Sequence, residues 1–329
     1  MTTRPHDALF KNTFERPEDA AALARCHLEP SLSAVIDWPT MRLESGSFVD
    51  EDDLVDRHSD LLFMVETEVG ATYLYLLFEH QSTDDPRMPL RMLTYMVRIW
   101  QRHAKLHEGP LPAIIPLLIC HAPGGWSSPR HFHELFTATL EGLPGLARFV
   151  PAFALLVDDL AHVSNEELKA RALAGFAKLA LWMLRDARMT ERLMASLPAW
   201  AEAFAEAAQT PRGLEALRGL FYYLTLVNEG LPWDEFHAKL QELAPAAGKV
   251  SMTIAEQLIN KGRAEGLAEG RVEGLVEGRA SLLAKLLALK FGELPEPLRI
   301  RLASANVDEL DTWAERVLRA SSLDQVFAD

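Results

Sequence analysis

The chain has 329 residues, 49% hydrophobic and 24% charged, so it can bury at least one full core and does not have the composition of a disordered protein. Its 33 Lys and Arg residues against 47 Asp and Glu residues give a net charge of -14, which opposes non-specific attraction to a polyanion. Two widely separated cysteines argue against a disulfide framework, and because no apolar run approaches the roughly 20 residues of a membrane helix, we expect a soluble cytoplasmic protein without a membrane contact.

The first 160 residues are predicted to contain an N-terminal helix and then, from residue 47, short strands around a second helix. Five segments have the apolar or alternating pattern of strands: residues 47–49, 60–66, 72–79, 113–120 and 153–157. The second and third would form a hairpin in which Gly70 supplies a positive φ. A helix is predicted over residues 89–106, which makes residues 1–160 an α/β domain.

The rest of the chain is rich in Ala, Leu, Glu and Arg with helical periodicity, which predicts an all-α C-terminal half. We divide it into three parts: a helical middle region (161–250), a Gly/Glu repeat (251–279) and a small helical module (280–329). The tryptophans and the pair Tyr222 and Tyr223 of the middle region are interpreted as helix-packing core. In the C-terminal module, Asp308 is the predicted N-cap of a helix.

Glycine recurs every fourth residue from Gly262 to Gly278, and a glutamate precedes each of the last four of these five glycines. Each glycine destabilises a helix by about 0.5–1 kcal/mol relative to alanine, so a helix here needs compensating contacts. Two interpretations stay open with equal weight. The segment is either a flexible solvated linker or a helix through which the chain self-associates as a homo-oligomer.

Two acidic residues stand at neighbouring ends of the predicted hairpin, since Asp60 opens one strand and Glu79 closes its partner. Residues two apart on a strand share a face, so Glu79 and Gln81 lie together, and an antiparallel hairpin of this length brings Asp60 close to Glu79. Two carboxylates on one edge suit Mg²⁺, which activates a bound water for attack on a phosphate. Gln81 can orient that water but cannot act as a cation. By spacing alone, a solvated strand end is the commoner explanation for such acids.

Asp60 followed by Glu79, His80 and Gln81 resembles the PD-(D/E)XK nuclease core, with glutamine in the place usually held by lysine. The surrounding words occur in the order seen in the Rpn family of recombination-promoting nucleases, also called YhgA-like transposases. These words are HDALFK (6–11), SFVD (47–50), SDLLF (59–63), EHQS (79–82), RMLTY (91–95) and IPLL (115–118). The similarity covers roughly residues 4–159. The glycine-containing loop after residue 120 is slightly displaced relative to the family pattern.

The resemblance implies a magnesium-dependent DNA endonuclease with a restriction-endonuclease-like α/β core, acting in recombination or transposon-related processing. Carried over by position, it implies metal ligation by Asp60 and Glu79 and positioning of the attacking water by Gln81. Asp7, in the N-terminal word, is expected near this active site. A role for Asp7 as a helix N-cap has equal weight.

The helix that follows the hairpin carries a basic stripe. Five cations fall within about 60° of one another on a helical wheel: Arg87, Arg91, Arg98, Arg102 and Lys105. Five apolar residues are expected on the buried side: Leu90, Leu93, Met96, Val97 and Trp100. Because the helix directly follows Glu79, the stripe is a candidate contact for DNA phosphates, and an ordinary solvated face has equal weight.

Two other functions stay open. A catalytically degenerate nuclease fold that acts in protein interaction and oligomerisation is favoured by Gln81 and by the acidic net charge, whereas the retention of both acids favours the enzyme. An enzyme acting on RNA is also compatible with the sequence, which contains nothing that reads a base or a 2′-hydroxyl.

Overall fold

A five-stranded mixed sheet forms the framework of the N-terminal half. The computed structural model describes residues 5–44, 59–68, 70–79 and 85–328. The strands lie side by side in chain order: β1 (Ile36–Leu43), β2 (Ser59–Thr67), β3 (Gly70–Glu79), β4 (Ala113–Cys120) and β5 (Leu156–Asp159). β1, β2 and β3 pair antiparallel, whereas β3, β4 and β5 pair parallel. The α/β character expected of this half is therefore confirmed.

The hairpin and the apolar strand β4 are confirmed closely, and Gly70 at the turn has a φ of 125°. The predicted strand 153–157 is displaced, because Ala154 makes an isolated bridge to His131 and β5 starts only at Leu156. β1 was not predicted, and it contains Pro39, a residue type that is rare in central strands. Proline is tolerated here because β1 is an edge strand. The predicted strand 47–49 lies outside the described residues.

Four helices accompany the sheet: α1 (Pro5–Phe14), α2 (Pro17–Arg25), α3 (Pro30–Ala34) and α4 (Met88–Leu106). The first three each start at a proline, whose fixed φ suits the first helical position. α1 packs against β2 and fully buries Phe10 and Phe14. α4 joins β3 to the parallel strand β4 and packs on one face of the sheet, where it contacts the cluster that includes Leu62 and Leu118.

The buried side of α4 differs from the prediction. Leu90 and Val97 are exposed, whereas Met88, Met92 and Ile99 are buried together with Met96. Methionines spaced four residues apart follow one row of the helix, so this row, and not the leucine row, faces the sheet. As a consequence, the basic stripe lies along a flank of α4 instead of on its outermost side.

The chain after β5 is helical, as predicted for residues 161–329, whereas a short helix at Thr137–Gly142, which precedes β5, was not predicted. The helices are α5 (Thr137–Gly142), α6 (Asn165–Ala170), α7 (Gly175–Asp186), α8 (Thr190–Ser196), α9 (Ala201–Gln209), α10 (Gly213–Val227), α11 (Trp233–Leu243), α12 (Pro245–Phe291), α13 (Glu296–Ala303), α14 (Val307–Arg319) and α15 (Leu323–Val326). Short 3-10 turns lie at Phe132–Phe136, Pro144–Phe149, Leu160–His162 and Leu197–Trp200. Among the helices of the described ranges, none is both long and apolar enough to cross a membrane.

The chain divides into two compact units, Met1–Ile254 and Ala255–Asp329. Within the first unit, α1 packs against α7 and α10, so the sheet and the helical middle region belong to one compact body. The ring of Trp182 stacks on that of Trp200 at 5.0 Å between centroids, and both are fully buried, which confirms their predicted core role. Tyr223 is buried but Tyr222 is 51% exposed, so the prediction is wrong for Tyr222, which lies about 100° further around α10.

The second unit has a core of its own, in which Leu283 and Leu287 of α12 pack with Trp313 of α14. α14 starts at a capping box: the Glu309 N–H donates to Asn306 Oδ1 at 3.0 Å, and the Asn306 N–H donates to Glu309 Oε2 at 2.9 Å. The N-cap is thus Asn306 and not the predicted Asp308. Asp308 lies in the first turn, where a negative charge suits the helix dipole.

α12 runs without interruption through the whole glycine repeat. A Cβ atom added at Gly274 or Gly278 would meet no atom of the described residues within 4 Å, so no described part of the chain uses the space that these two glycines leave. Leu275, Leu282 and Leu289 are 50%, 59% and 84% exposed, and their seven-residue spacing places them on one side of the helix. We propose that this leucine stripe and the glycine repeat pack against a second copy of the chain.

Replacing Gly266, Gly270 and Gly274 by leucine should dissociate the oligomer, because bulky side chains keep a partner backbone at a distance. Leu282→Glu combined with Leu289→Glu should have the same effect. Leu318→Glu, which changes an exposed leucine of α14, should leave the mass unchanged. Light scattering measures the mass, and a monomeric wild type or an unchanged mass in the glycine and stripe variants contradicts the proposal.

Candidate active site

The candidate active site lies at the C-terminal ends of the parallel strands β3, β4 and β5. This end of the sheet is called its edge below. Because the three strands are parallel, their carboxyl ends lie together, with Glu79 in register with Cys120. On the other side of β3, Asp60 is opposite Leu77, two residues before Glu79. Asp60 and Glu79 therefore occupy diagonal positions on the same face of the hairpin, and such positions lie about 7–8 Å apart. Gln81 lies outside the described residues.

The first turn of α1 lies at the same edge. The ring centroid of His6 is 4.9 Å from that of His121, the residue that directly follows Cys120. Asp7 is adjacent to His6 in this turn. Asp7 is the third residue of α1, and the alternative that it is the N-cap of this helix is therefore wrong.

A buried polar cluster holds α1 in this position. His6 Nδ1 lies 2.7 Å from the Tyr223 hydroxyl oxygen of α10, and burial raises the pKa of that hydroxyl above its ordinary value. His121 Nδ1 lies 3.3 Å from an Arg188 terminal nitrogen. Because a guanidinium only donates, His121 accepts through Nδ1. The cluster connects the helical middle region to the edge of the sheet.

Two adjacent carboxylates at the end of β5, Asp158 and Asp159, were missed in the sequence. Asp158 accepts hydrogen bonds from both terminal nitrogens of Arg171 at 2.6 and 2.7 Å, and His27 Nε2 lies 3.1 Å from the same carboxylate. Burial acts to raise the pKa of Asp158, but His27 and Arg171 outweigh it and hold this pKa below its ordinary value. A pair of acids directly after an apolar run is the signal that could have revealed them, as it did for Glu79.

Asp159 organises the loop after β4. Its Oδ2 atom accepts the Trp126 N–H at 2.8 Å and lies 2.7 Å from His162 Nδ1. Gly125 in this loop has a φ of 72°, which favours glycine. The displaced glycine loop noted in the sequence therefore has a defined structure, in which it packs beside Asp159 and His162.

One cation of the basic stripe of α4 forms an ion pair. Arg91 donates to Asp85 Oδ2 at 2.9 Å, and both side chains are 20% exposed. Arg98 is half-buried. The three remaining cations of the stripe are exposed: Arg87, Arg102 and Lys105. The Asp85 carboxylate offsets the charge of Arg91, so the exposed cations carry most of the positive potential of the stripe.

Asp158→Asn should destabilise the fold by about 3–5 kcal/mol, because it leaves the guanidinium of Arg171 buried without a charged partner. The wild type should also lose stability in acid, since a lowered pKa stabilises the fold above the unfolded-state pKa and the effect disappears as the pH falls through the folded-state pKa. Urea unfolding measures both. The exposed pair Lys239–Glu235 provides a control, for which Glu235→Gln should cost less than about 0.5 kcal/mol. Equal stabilities of Asp158→Asn and wild type contradict this account.

The chain matches known proteins over most of its length. Residues 4–215 match a family model described as "Putative transposase, YhgA-like". Recombination-promoting nuclease RpnA of Escherichia coli (strain K12) is 32% identical over 263 residues, which are 80% of this chain and 86% of the relative. Recombination-promoting nuclease RpnD of Escherichia coli O157:H7 is 30% identical over 260 residues, 79% of this chain and 95% of the relative.

A third relative, of Escherichia coli (strain K12), is named an inactive recombination-promoting nuclease-like protein, RpnE, and is 30% identical over 268 residues, 80% of this chain and 85% of the relative. No solved structure matches the chain. The family match extends beyond the similarity of residues 4–159 and includes α6, α7, α8 and α9, which belong to the same compact unit as the sheet. On this match and these relatives, the chain belongs to the YhgA-like transposase family of recombination-promoting nucleases.

Proposed function

We propose that the chain is a magnesium-dependent DNA endonuclease with a PD-(D/E)XK core, acting in recombination or transposon-related processing. The observation that carries this proposal is the register of the hairpin, which puts Asp60 and Glu79 on one face at the edge that the first turn of α1 also reaches. Two relatives named recombination-promoting nucleases support the reaction class.

The residues at this edge fit a magnesium ion. Mg²⁺ is usually bound through one or two protein carboxylates, with water and phosphate oxygens at the other positions, and Asp60 and Glu79 supply that number. Bound there, the ion would lower the pKa of a coordinated water and offset negative charge on the phosphate. Asp60 and Glu79 would hold the ion.

Gln81 and Asp7 have supporting roles in this proposal. The amide of Gln81 both donates and accepts hydrogen bonds, so it can aim the attacking water, but it does not accept a proton as a base does. Asp7 follows His6, which contacts His121 at this edge, and it would add a further acceptor for a water there. Loss of either residue should therefore cost less activity than loss of a metal ligand.

A degenerate nuclease fold that acts in protein interaction is the second candidate. Gln81 in place of lysine favours it, and so does the net charge of -14. The relative named inactive has an identity and a coverage similar to those of the relatives named as nucleases. Overall sequence similarity therefore does not distinguish a nuclease from an interaction protein. A measurement of DNA cleavage has to distinguish them.

Asp60→Asn and Glu79→Gln should each abolish most DNA cleavage, because too little negative charge remains to hold the ion at the site of attack. Gln81→Ala should cost less, because this amide positions a water and does not create the nucleophile. Gln81→Lys, which restores the commoner pattern, should retain activity. The rate of plasmid nicking with magnesium measures all four variants.

Glu66→Gln is the matched control for the acid variants. Glu66 is on the same face of β2 as Asp60 but at the opposite end of the strand, so its neutralisation should leave the rate unchanged. Thermal melting verifies that each variant is folded. Folded Asp60→Asn or Glu79→Gln protein that nicks DNA at the wild-type rate would eliminate this active site.

We propose further that the basic stripe of α4 binds DNA phosphates beside the site. Arg87→Glu with Lys105→Glu, which change two exposed cations of the stripe, should weaken DNA binding and flatten its salt dependence by at most about two units of the log–log slope, because each phosphate contact releases counterions. Arg212→Glu with Lys249→Glu makes the same change in net charge on exposed residues of the helical middle region and should have little effect. If the stripe variant binds at low salt as tightly as wild type, the stripe is only a solvated face.

A further inference from the structure

A histidine–carboxylate pair lies at the same edge as the proposed active site. Asp159 ends β5, its register partner in β4 is Cys120, and Cys120 is the register partner of Glu79. Register partners share a face, so Asp159 is on the face that holds Asp60 and Glu79. Two strand spacings put its backbone roughly 10 Å from that of Glu79. The carboxyl ends of strands are where open α/β sheets bind their ligands.

The carboxylate of this pair is held firmly. The side chain of Asp159 is only 11% exposed, and its Oδ2 atom accepts the Trp126 N–H besides contacting His162 Nδ1. A carboxylate only accepts, so Nδ1 of His162 carries a proton, and Nε2 is the ring nitrogen left for a ligand. The His162 side chain is 69% exposed, so a ligand can reach it.

Gly125 supports the imidazole from a second side. A Cβ atom added to Gly125 would overlap the His162 ring and would lie 2.9 Å from Asp159 Oδ2. The ring therefore occupies space that only a glycine leaves open, at a position whose φ of 72° also favours glycine. The Asp159 carboxylate holds the His162 imidazole on one side, and the backbone of Gly125 supports it on another. The exposed imidazole is therefore preorganised for binding.

A simple role in stability does not account for these features. Exposed ion pairs contribute little to stability, and the chain has a pair of that kind in His131 and Glu134, whose Nδ1 and Oε1 atoms are 3.1 Å apart with side chains 50% and 39% exposed. His131 bridges Ala154, which precedes β5 and so lies towards the opposite edge of the sheet. The pair of Asp159 and His162 differs in its buried carboxylate, its glycine support and its position.

We propose that His162, oriented by Asp159, binds a phosphate of the nucleic-acid backbone adjacent to the phosphate that is cleaved. In its charged form, His162 donates Nδ1–H to Asp159 and Nε2–H to a phosphate oxygen. The Oδ2 atom of Asp159 is already engaged by the Trp126 N–H and by His162, so we assign this carboxylate to the histidine and not to the ion proposed for Asp60 and Glu79. The pair thus serves a neighbouring phosphate, and the proposal rests on the proposed nuclease function.

His162→Ala should weaken the binding of duplex DNA by about tenfold, because a charge-assisted hydrogen bond is lost. It should also reduce the slope of log affinity against log salt by about 0.9. Fluorescence anisotropy of a labelled duplex, with the full chain in mildly acidic buffer and a chelator to prevent cleavage, measures both. His131→Ala is the matched control and should bind as wild type does.

Asp159→Asn separates a positioning role from a structural one. It should weaken DNA binding in the wild-type background and have no further effect in the His162→Ala background, because Asp159 acts through His162. Additive losses, or DNA affinity unchanged in folded His162→Ala protein, would overturn the proposal. If the His162→Ala protein binds DNA normally while the wild type nicks plasmid, the proposed phosphate site is wrong but the proposed nuclease function stands. If wild type neither binds nor nicks DNA, the proposed function fails with it.

Discussion

The parallel pairing of β3, β4 and β5 is the constraint on which the candidate site depends. Parallel strands end at one edge, so residues far apart in sequence, such as Glu79, Cys120 and Asp159, come into register there. The antiparallel hairpin then adds Asp60 from the neighbouring strand. α4 makes this arrangement possible, because a parallel connection needs a long crossover, and its methionine row covers the sheet on the way.

The helical middle region contributes to this edge of the sheet. The buried contact of His6 with Tyr223 ties α1 to α10, and His121 with Arg188 ties the end of β4 to the segment after α7. On the face opposite to Asp159, the guanidinium of Arg171 offsets the charge of the buried Asp158, and His27 lies beside the same carboxylate. These polar contacts hold the ends of three segments around one edge. They are consistent with a family match that continues through the first helices of the middle region.

The sequence predicted those parts of the fold that have a strong local pattern. The hairpin has apolar strands around Gly70, and β4 is an uninterrupted apolar run, so both were found with nearly correct bounds. β1, which contains Pro39, was not predicted, and the buried row of α4 was misplaced because leucine and methionine rows are equally apolar.

The same distinction between local and long-range patterns decided which residues near the site could be predicted. Asp60 and Glu79 could be related because a hairpin joins neighbours in sequence. The role of Asp159 depends on its pairing with Cys120, which is 39 residues earlier in the chain, and the role of His162 depends on the space left by Gly125. Neither pairing nor open space leaves a local pattern in a single sequence. The same is true of the contact between His6 and Tyr223, which are 217 residues apart.

An acidic chain that cleaves a polyanion needs its cations and its metal in the right places, because its net charge of -14 gives no general attraction to DNA. A metal ion held by Asp60 and Glu79 would supply positive charge at the site of cleavage. An interaction protein with the same fold would not require such an ion. The most direct measurement is the nicking of supercoiled plasmid by purified wild-type protein in magnesium and in an excess of chelator. We expect nicking in magnesium that the chelator stops. Intact plasmid in both, or equal nicking in both, would contradict it.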